Sequence, residues 1–254
     1  MLVQEITSID TAARSARLQD RLTAAKRAFT TRNVDLAAAT RLVRSGWRPE
    51  PGDLILARVI RLGQHRRLEN IHGRRGDLYV GDEIIVAFGN RYAPDQFEAY
   101  VPQSLEPCHL VAGGGVAALA VNRHAAVKAP TDIEVIGVLV GENGRALNLR
   151  DFATVQPASD RPPLVIAVVG SSMNAGKTTT VAGLVHGLTR AGFRVGAAKL
   201  TGTGSGGDLW TMRDAGAELA VDFTDAGHAS TFGVAATIWA QLPARCWPVW
   251  RRNR

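Results

Sequence analysis

The sequence is poor in cysteine: among 254 residues there are two, Cys108 and Cys246. They lie far apart, and so few exclude a disulfide framework. No apolar run is long enough to cross a bilayer as a helix, which excludes a membrane-spanning partner role. The opening MLVQEITSID lacks a basic start followed by an apolar segment, so it does not read as a secretory signal. His65, His72, His109 and His124 follow no metal-ligand spacing, and Cys108-His109 alone is not a site. These absences point to a cytoplasmic protein.

What is present is a globular composition. Apolar residues make up 46% and charged residues 21%, enough for a core beneath a hydrated surface. The formal charge of +7 is unevenly spread. Residues 1–48 hold nine Lys/Arg against four Asp/Glu, and residues 241–254 hold four arginines and no acid. The basicity therefore belongs to the two ends, as a nucleic-acid patch or as a solvated helix face with an unusual tail.

Residues 9–45 carry the helical period, with Leu18, Leu22, Ala25 and Phe29 recurring on one face. NVDLAAATRLVRSG predicts a second helix, from an Asn33 cap to Gly46. These N-terminal helices, residues 1–48, would pack on the rest of the chain or support a homo-oligomer. From Pro51 the period changes. DLILARVIRL, DLYVGDEIIVAFG, FEAYVP and DIEVIGVLVGENGRALNL are short β-branched runs between turn residues, and Asn143-Gly144 is a tight-turn signal. Residues 49–151 thus predict a small β-rich, barrel-like domain. LVAGGGVAALAVNRHAAV interrupts it, reading as a glycine turn that leads into an Ala/Val helix. GNRYAPDQFEAYVP groups Asn90, Arg91, Tyr92, Asp95 and Glu98 around Pro94, and reads either as a ligand-recognising loop or as a polar connection. Residues 152–163, with three prolines, read as a linker.

Beyond the linker the pattern is strand, loop and helix. PLVIAVVG suits a buried central parallel strand. KTTTVAGLVHGLTRAG is a helix ending at Gly192, FRVGAAKL a strand, DLWTMRDAGA a helix and ELAVDF a third strand. Residues 164–237 therefore predict an α/β layer with a parallel sheet.

Between that first strand and helix, five residues separate Gly170 from Gly176-Lys177-Thr178. Glycines let backbone N–H groups close on a phosphate, a lysine supplies positive charge, and a hydroxyl in the first helical turn ligates magnesium. The phosphate-holding set is Gly170, Ser171, Ser172, Asn174, Ala175, Gly176, Lys177, Thr178 and Thr179, a Walker A type loop. Lys177 is the electrostatic catalyst and Thr178 the metal ligand.

The longer spacing resembles the loop of dethiobiotin synthetase and its relatives, where such a loop binds ATP. Downstream, AAKLTGTGSGGDLWTMRDAGA resembles the second strand and following helix of the molybdopterin-guanine dinucleotide biosynthesis protein B group, which binds GTP. Lys199, Gly206, Asp208, Arg213 and Ala215-Gly216-Ala217 are the matching positions. The resemblance covers about residues 164–225. It implies a P-loop NTPase fold with ATP or GTP and Mg²⁺ as cofactors. It also implies that Lys199 faces an anionic substrate or the γ-phosphate, and that Asp208 sits beside the metal. Without it, Lys199 also reads as a strand-end solvent lysine and Asp208 as a helix N-cap. Dethiobiotin synthetase has no β-rich domain in front, and the guanine dinucleotide proteins use a shorter loop. Neither substrate nor base preference therefore carries over. Asp222 and Asp225 are the candidates for a second metal carboxylate.

Leu164 to Arg254 supplies three strands, where a doubly wound nucleotide domain has five or six. The ending from 238, IWAQLPARCWPVWRRNR, holds three of the five tryptophans and no strand–helix alternation. The expectation is an α/β P-loop domain truncated at its C-terminus, or one completed by a partner chain, with Trp239, Trp247 and Trp250 exposed in an atypical tail. The expected function is nucleotide binding, with Mg²⁺-dependent NTP hydrolysis or ATP-dependent activation of a small anionic substrate. The alternative is a nucleotide-gated nucleic-acid or protein binding module, or an inactive fragment.

Overall fold

The computed structural model describes residues 16–154 and 164–235. The linker prolines and the tail with Trp239, Trp247 and Trp250 lie outside the described residues. Residues 16–24 form helix α1. Leu18 and Leu22 of its apolar face, with Ala25 just beyond, pack on a sheet. The strands that follow are β1 (Lys26–Arg27), β2 (Arg41–Val43) and β3 (Leu54–Arg61). Next, β4 (Arg67–Glu69) and β5 (Arg75–Asp77) pair as a hairpin of their own. Then come β6 (Glu83–Phe88), β7 (Arg91–Tyr92), β8 (Phe97–Tyr100), β9 (Cys108–Ala112), β10 (Val116–Arg123) and β11 (Thr131–Val140).

Apart from β4 and β5, these strands build one nine-stranded sheet in the order β1-β6-β3-β11-β9-β10-β8-β7, with β2 on β11. A further β10–β6 pairing closes β6, β3, β11, β9 and β10 into a ring. Strand residues alternate between the two faces. Ile55, Val59, Ile84, Phe88, Leu110 and Ile133 gather on one side of the ring. Leu54, Leu56, Ile85, Ala87 and Val116 gather on the other, beneath α1. Arg21 of α1 forks onto the Glu83 carboxylate at 2.7 and 2.6 Å, and this hydrogen bonding holds Glu83 below the usual carboxylate range.

The remainder is a smaller unit of α2 (Lys177–Arg190), β12 (Gly196–Lys199), α3 (Gly207–Asp214) and β13 (Leu219–Asp222). β12 and β13 run parallel, Gly196 beside Leu219 through Lys199 beside Asp222. Val185, Ala197, Leu209, Met212, Ala217 and Ala220 form its core, and Phe29 from the N-terminal segment completes it. The two units meet closely. A Cβ on Gly114 would fall 1.9 Å from the Gly204 carbonyl oxygen, so backbone touches backbone there and only glycine fits.

The fold class read from the sequence is corrected by this topology. The chain is dominated by a large mixed, mostly antiparallel sheet, not by a parallel α/β P-loop domain with a small β-rich domain in front. PLVIAVVG is not a strand. Leu164 is 91% and Val169 86% exposed, and the run pairs with nothing among the described residues. A parallel strand needs neighbours on its edges and cover on both faces; among the described residues β12 and β13 pair only with each other. The helix expected from Asn33 to Gly46 is instead a short 3₁₀ turn, Leu36–Ala38, followed by β2. Leu42 and Val43 are drawn into register with Leu139 and Val138 of β11, and long-range pairing overrides the alanine-rich helical preference. The same holds for VAALAVNR, which is β10: Gly115, at φ 99°, turns the chain back along β9. No helix among the described residues is long and apolar enough to cross a membrane.

Candidate functional site

The loop before α2 is shaped by two left-handed positions, Asn174 (φ 61°) and Gly176 (φ 82°). Asparagine is among the few non-glycine residues that tolerate this conformation. Gly176 is the N-cap of α2, so the loop delivers the chain to the positive end of the helix dipole. Lys177 folds back over the loop and its Nζ donates to the Ser172 carbonyl. Its stem crosses Gly170, where a Cβ would stand 3.0 Å from Lys177 Cγ. Ser171, Ser172, Asn174, Ala175 and Thr179 are exposed around it. The Asn174 amide reaches Asp95 Oδ2 at 3.4 Å, in the turn between β7 and β8.

Three further residues named from the sequence come together beside the loop. Thr178 Oγ1 donates to Asp208 Oδ1 at 3.2 Å, and Lys199 Nζ pairs with Asp208 Oδ2. Lys199 ends β12 and Asp208 lies in the first turn of α3, so helix, strand end and helix start converge. Asp208 is not the N-cap; that position is Gly206. Lys199 is not a solvent lysine either, being about three-quarters buried as well as paired. The site lies at the carboxyl ends of the two parallel strands, where open α/β layers place ligands.

A magnesium ion fits this donor set. Adjacent ligands of an octahedral ion with bonds of ~2.1 Å stand ~3 Å apart, and the Thr178 and Asp208 oxygens are 3.2 Å apart. No group of three or more His, Cys, Asp or Glu suited to a metal occurs among the described residues. One carboxylate and one hydroxyl are a set that suits Mg²⁺, which completes its shell with phosphate and water. Asp222 and Asp225, considered as second metal carboxylates, are held elsewhere. Arg32 contacts Asp222 Oδ1 at 3.1 Å and Asp225 Oδ1 at 2.6 Å, tying the N-terminal segment to the end of β13.

Two features escaped the sequence reading. Glu69, on β4 and 3% exposed, accepts from the Gly206 N–H at 2.7 Å and from Ser205 Oγ at 3.0 Å. It pins the start of the helix that carries Asp208, and 136 residues of separation hide the contact from any local pattern. The second is His65, whose Nε2 lies 3.1 Å from Arg91 Nη1, both beside the Phe97 ring. Burial, and then the Arg91 charge, push His65 down to about 4, and burial lowers Arg91 to about 10. Arg91 stands in the stretch singled out for its mixed polar residues; nothing in the sequence pairs it with His65.

Compared with known proteins, the chain matches no family model, no curated protein and no solved structure.

Proposed function

We propose that the chain binds a nucleoside triphosphate, ATP or GTP, with Mg²⁺ at the loop 170–176. It uses the nucleotide for hydrolysis or for activation of a small anionic substrate. The observation that carries this reading is the convergence on Asp208 of the Thr178 hydroxyl and the Lys199 ammonium, next to Lys177 at the start of α2. A cation, a hydroxyl and a carboxylate are group types that phosphoryl chemistry uses, and their proximity supports the reading. Bound Mg²⁺ would supply charge neutralisation on the phosphate oxygens. Thr178 and Asp208 would hold it, Lys177 would leave the Ser172 carbonyl for the outer phosphates, and Lys199, released by the metal from Asp208, would face the anionic substrate.

The proposed setting is the cytoplasm, with nucleotide and a small anion as partners. Calorimetric titration with ATP and GTP, each with and without Mg²⁺, tests the reading. Mg²⁺-strengthened binding is expected, and no heat with either nucleotide would refute it. Lys199→Ala should retain nucleotide binding and lose phosphate release; parallel loss of binding and fold would assign Lys199 a structural role.

A further inference from the structure

The β7–β8 hairpin is the part of the large sheet that touches the phosphate loop, through Asp95 and Asn174. Its register gives it two unlike faces. Arg91 pairs with Ala99, and Tyr92 with Glu98. Arg91, Phe97 and Ala99 are buried on one face. On the other, Tyr92 and Tyr100 are 51% and 42% exposed. Two exposed tyrosines alone would be an ordinary surface. Here a third ring joins them: Phe232 lies 5.5 Å from Tyr92 and 5.9 Å from Tyr100, centroid to centroid.

Phe232 also connects this shelf to the opposite side of the candidate site. Its neighbour Thr231 donates its N–H to the Gly202 carbonyl at 2.9 Å. A Cβ on Gly202 would stand 3.3 Å from Lys199 Nζ, so that segment borders the lysine. Residues neighbouring the shelf in the chain thus reach the loop at one end, through Asp95, and the Gly202 segment that borders Lys199 at the other. Tyr92 is three residues from Asp95, at most about 11 Å along the chain. Tyr100 also lines an open groove of about 420 Å³ with Arg48, Glu50, Asn90 and Gln103. The Tyr100 hydroxyl donates to Glu98 at 2.7 Å, which fixes the ring's orientation.

From this arrangement we propose that Tyr92, Tyr100 and Phe232 form the seat for the purine base of the nucleotide whose phosphates lie in the loop. The proposal rests on the nucleotide-binding reading above. The exposed rings of Tyr92 and Tyr100, backed by Phe232, offer surface on which a planar base stacks without regard to its exocyclic groups. The groove's Arg48, Glu50, Asn90 and Gln103 would offer polar groups to the edge of a base seated on Tyr100. Such a seat would bind adenine and guanine alike by stacking, and would leave any preference to the groove.

The test uses the full chain and three Mg²⁺-bound probes: ATP, GTP and tripolyphosphate, which has the phosphates without the base. The double variant Tyr92→Ala/Tyr100→Ala should weaken ATP and GTP about tenfold, while tripolyphosphate affinity stays at the wild-type value. Tyr92→Phe/Tyr100→Phe, which keeps the rings, should restore nucleotide affinity. Wild-type nucleotide affinity in the alanine variant would overturn the seat while leaving the phosphate site standing. So would an equal loss for tripolyphosphate, because the rings would then be supporting the loop. If the wild-type protein binds none of the three probes, the nucleotide reading itself falls, and the seat with it.

Discussion

The two units of the molecule handle apolar residues in opposite ways. In the large sheet, Ile55, Ile84, Phe88, Leu110 and Ile133 are wholly enclosed, and α1 covers the other face. In the smaller unit, Leu164, Val165, Ile166, Val169 and Phe193 each expose half or more of their surface. The residues proposed for chemistry, Lys177, Thr178, Lys199 and Asp208, all belong to this thinly packed unit. The lesson is a division of labour. The sheet supplies the larger core, and the smaller unit with its exposed loop is held against it by Arg32, Glu69 and the Gly114–Gly204 approach. Low local packing is what a loop that must rearrange around a ligand requires.

If the sheet carries the stability, the largest effect belongs there. Phe88→Ala, at a fully buried position, should cost about 3–5 kcal/mol in chemical denaturation. Val185→Ala, in the small core, should cost less, about 2 kcal/mol. Equal losses would erase the distinction between the units. A pH experiment comes next in size. His65 is neutral in the fold, with its value lowered to about 4, chiefly by burial. The unfolded chain takes up its proton near 6.5, so this contribution is complete above pH 6.5 and is lost as pH falls toward 4. The span is worth about 3 kcal/mol. Stability measured between pH 7 and 4 should fall accordingly, and His65→Gln should flatten that slope.

A third expectation sharpens the contrast by separating binding from stability. Lys177 is half-buried, and its contact is to one carbonyl within its own loop. Lys177→Ala should therefore leave the denaturation midpoint nearly unchanged while weakening ATP binding at least tenfold. Loss of one charge-assisted contact to phosphate costs about 1.5–3 kcal/mol. A variant that binds ATP as the wild type does would remove the loop from the proposed site.

How much of this was legible in the sequence follows the range of the interactions. α2, β12, α3 and β13 were readable because caps, periodicity and turns act over a few residues. Lys177 and Thr178 were named from the spacing of the loop, Lys199 and Asp208 from the family resemblance, and Thr178 and Lys199 do meet at Asp208. What local patterns could not tell was sheet membership. VAALAVNR has helical composition but three strand neighbours, β6, β8 and β9, that claim its backbone. PLVIAVVG has strand composition but no partner among the described residues. Both errors have one cause: a strand is completed by residues far away in sequence, whereas a helix satisfies its own hydrogen bonds. Glu69 and the Tyr92–Phe232 contact were unreadable for the same reason.

The smallest effect tests the point where the two helices meet. Thr178 Oγ1 and Asp208 Oδ1 are 3.2 Å apart, a separation suited to two neighbouring magnesium ligands. As a hydrogen bond to the carboxylate alone, the contact would contribute about 1.5 kcal/mol to stability and nothing specific to nucleotide binding. As a metal site, it should appear only when magnesium is present. Thr178→Ala should leave ATP affinity in EDTA unchanged and reduce the Mg²⁺-dependent gain several-fold. Thr178→Ser, which keeps the hydroxyl, should recover that gain. If affinity falls alike with and without magnesium, the hydroxyl serves the packing of α2 on α3, and the boundary between the stable sheet and the reactive unit must be drawn without a metal at Asp208.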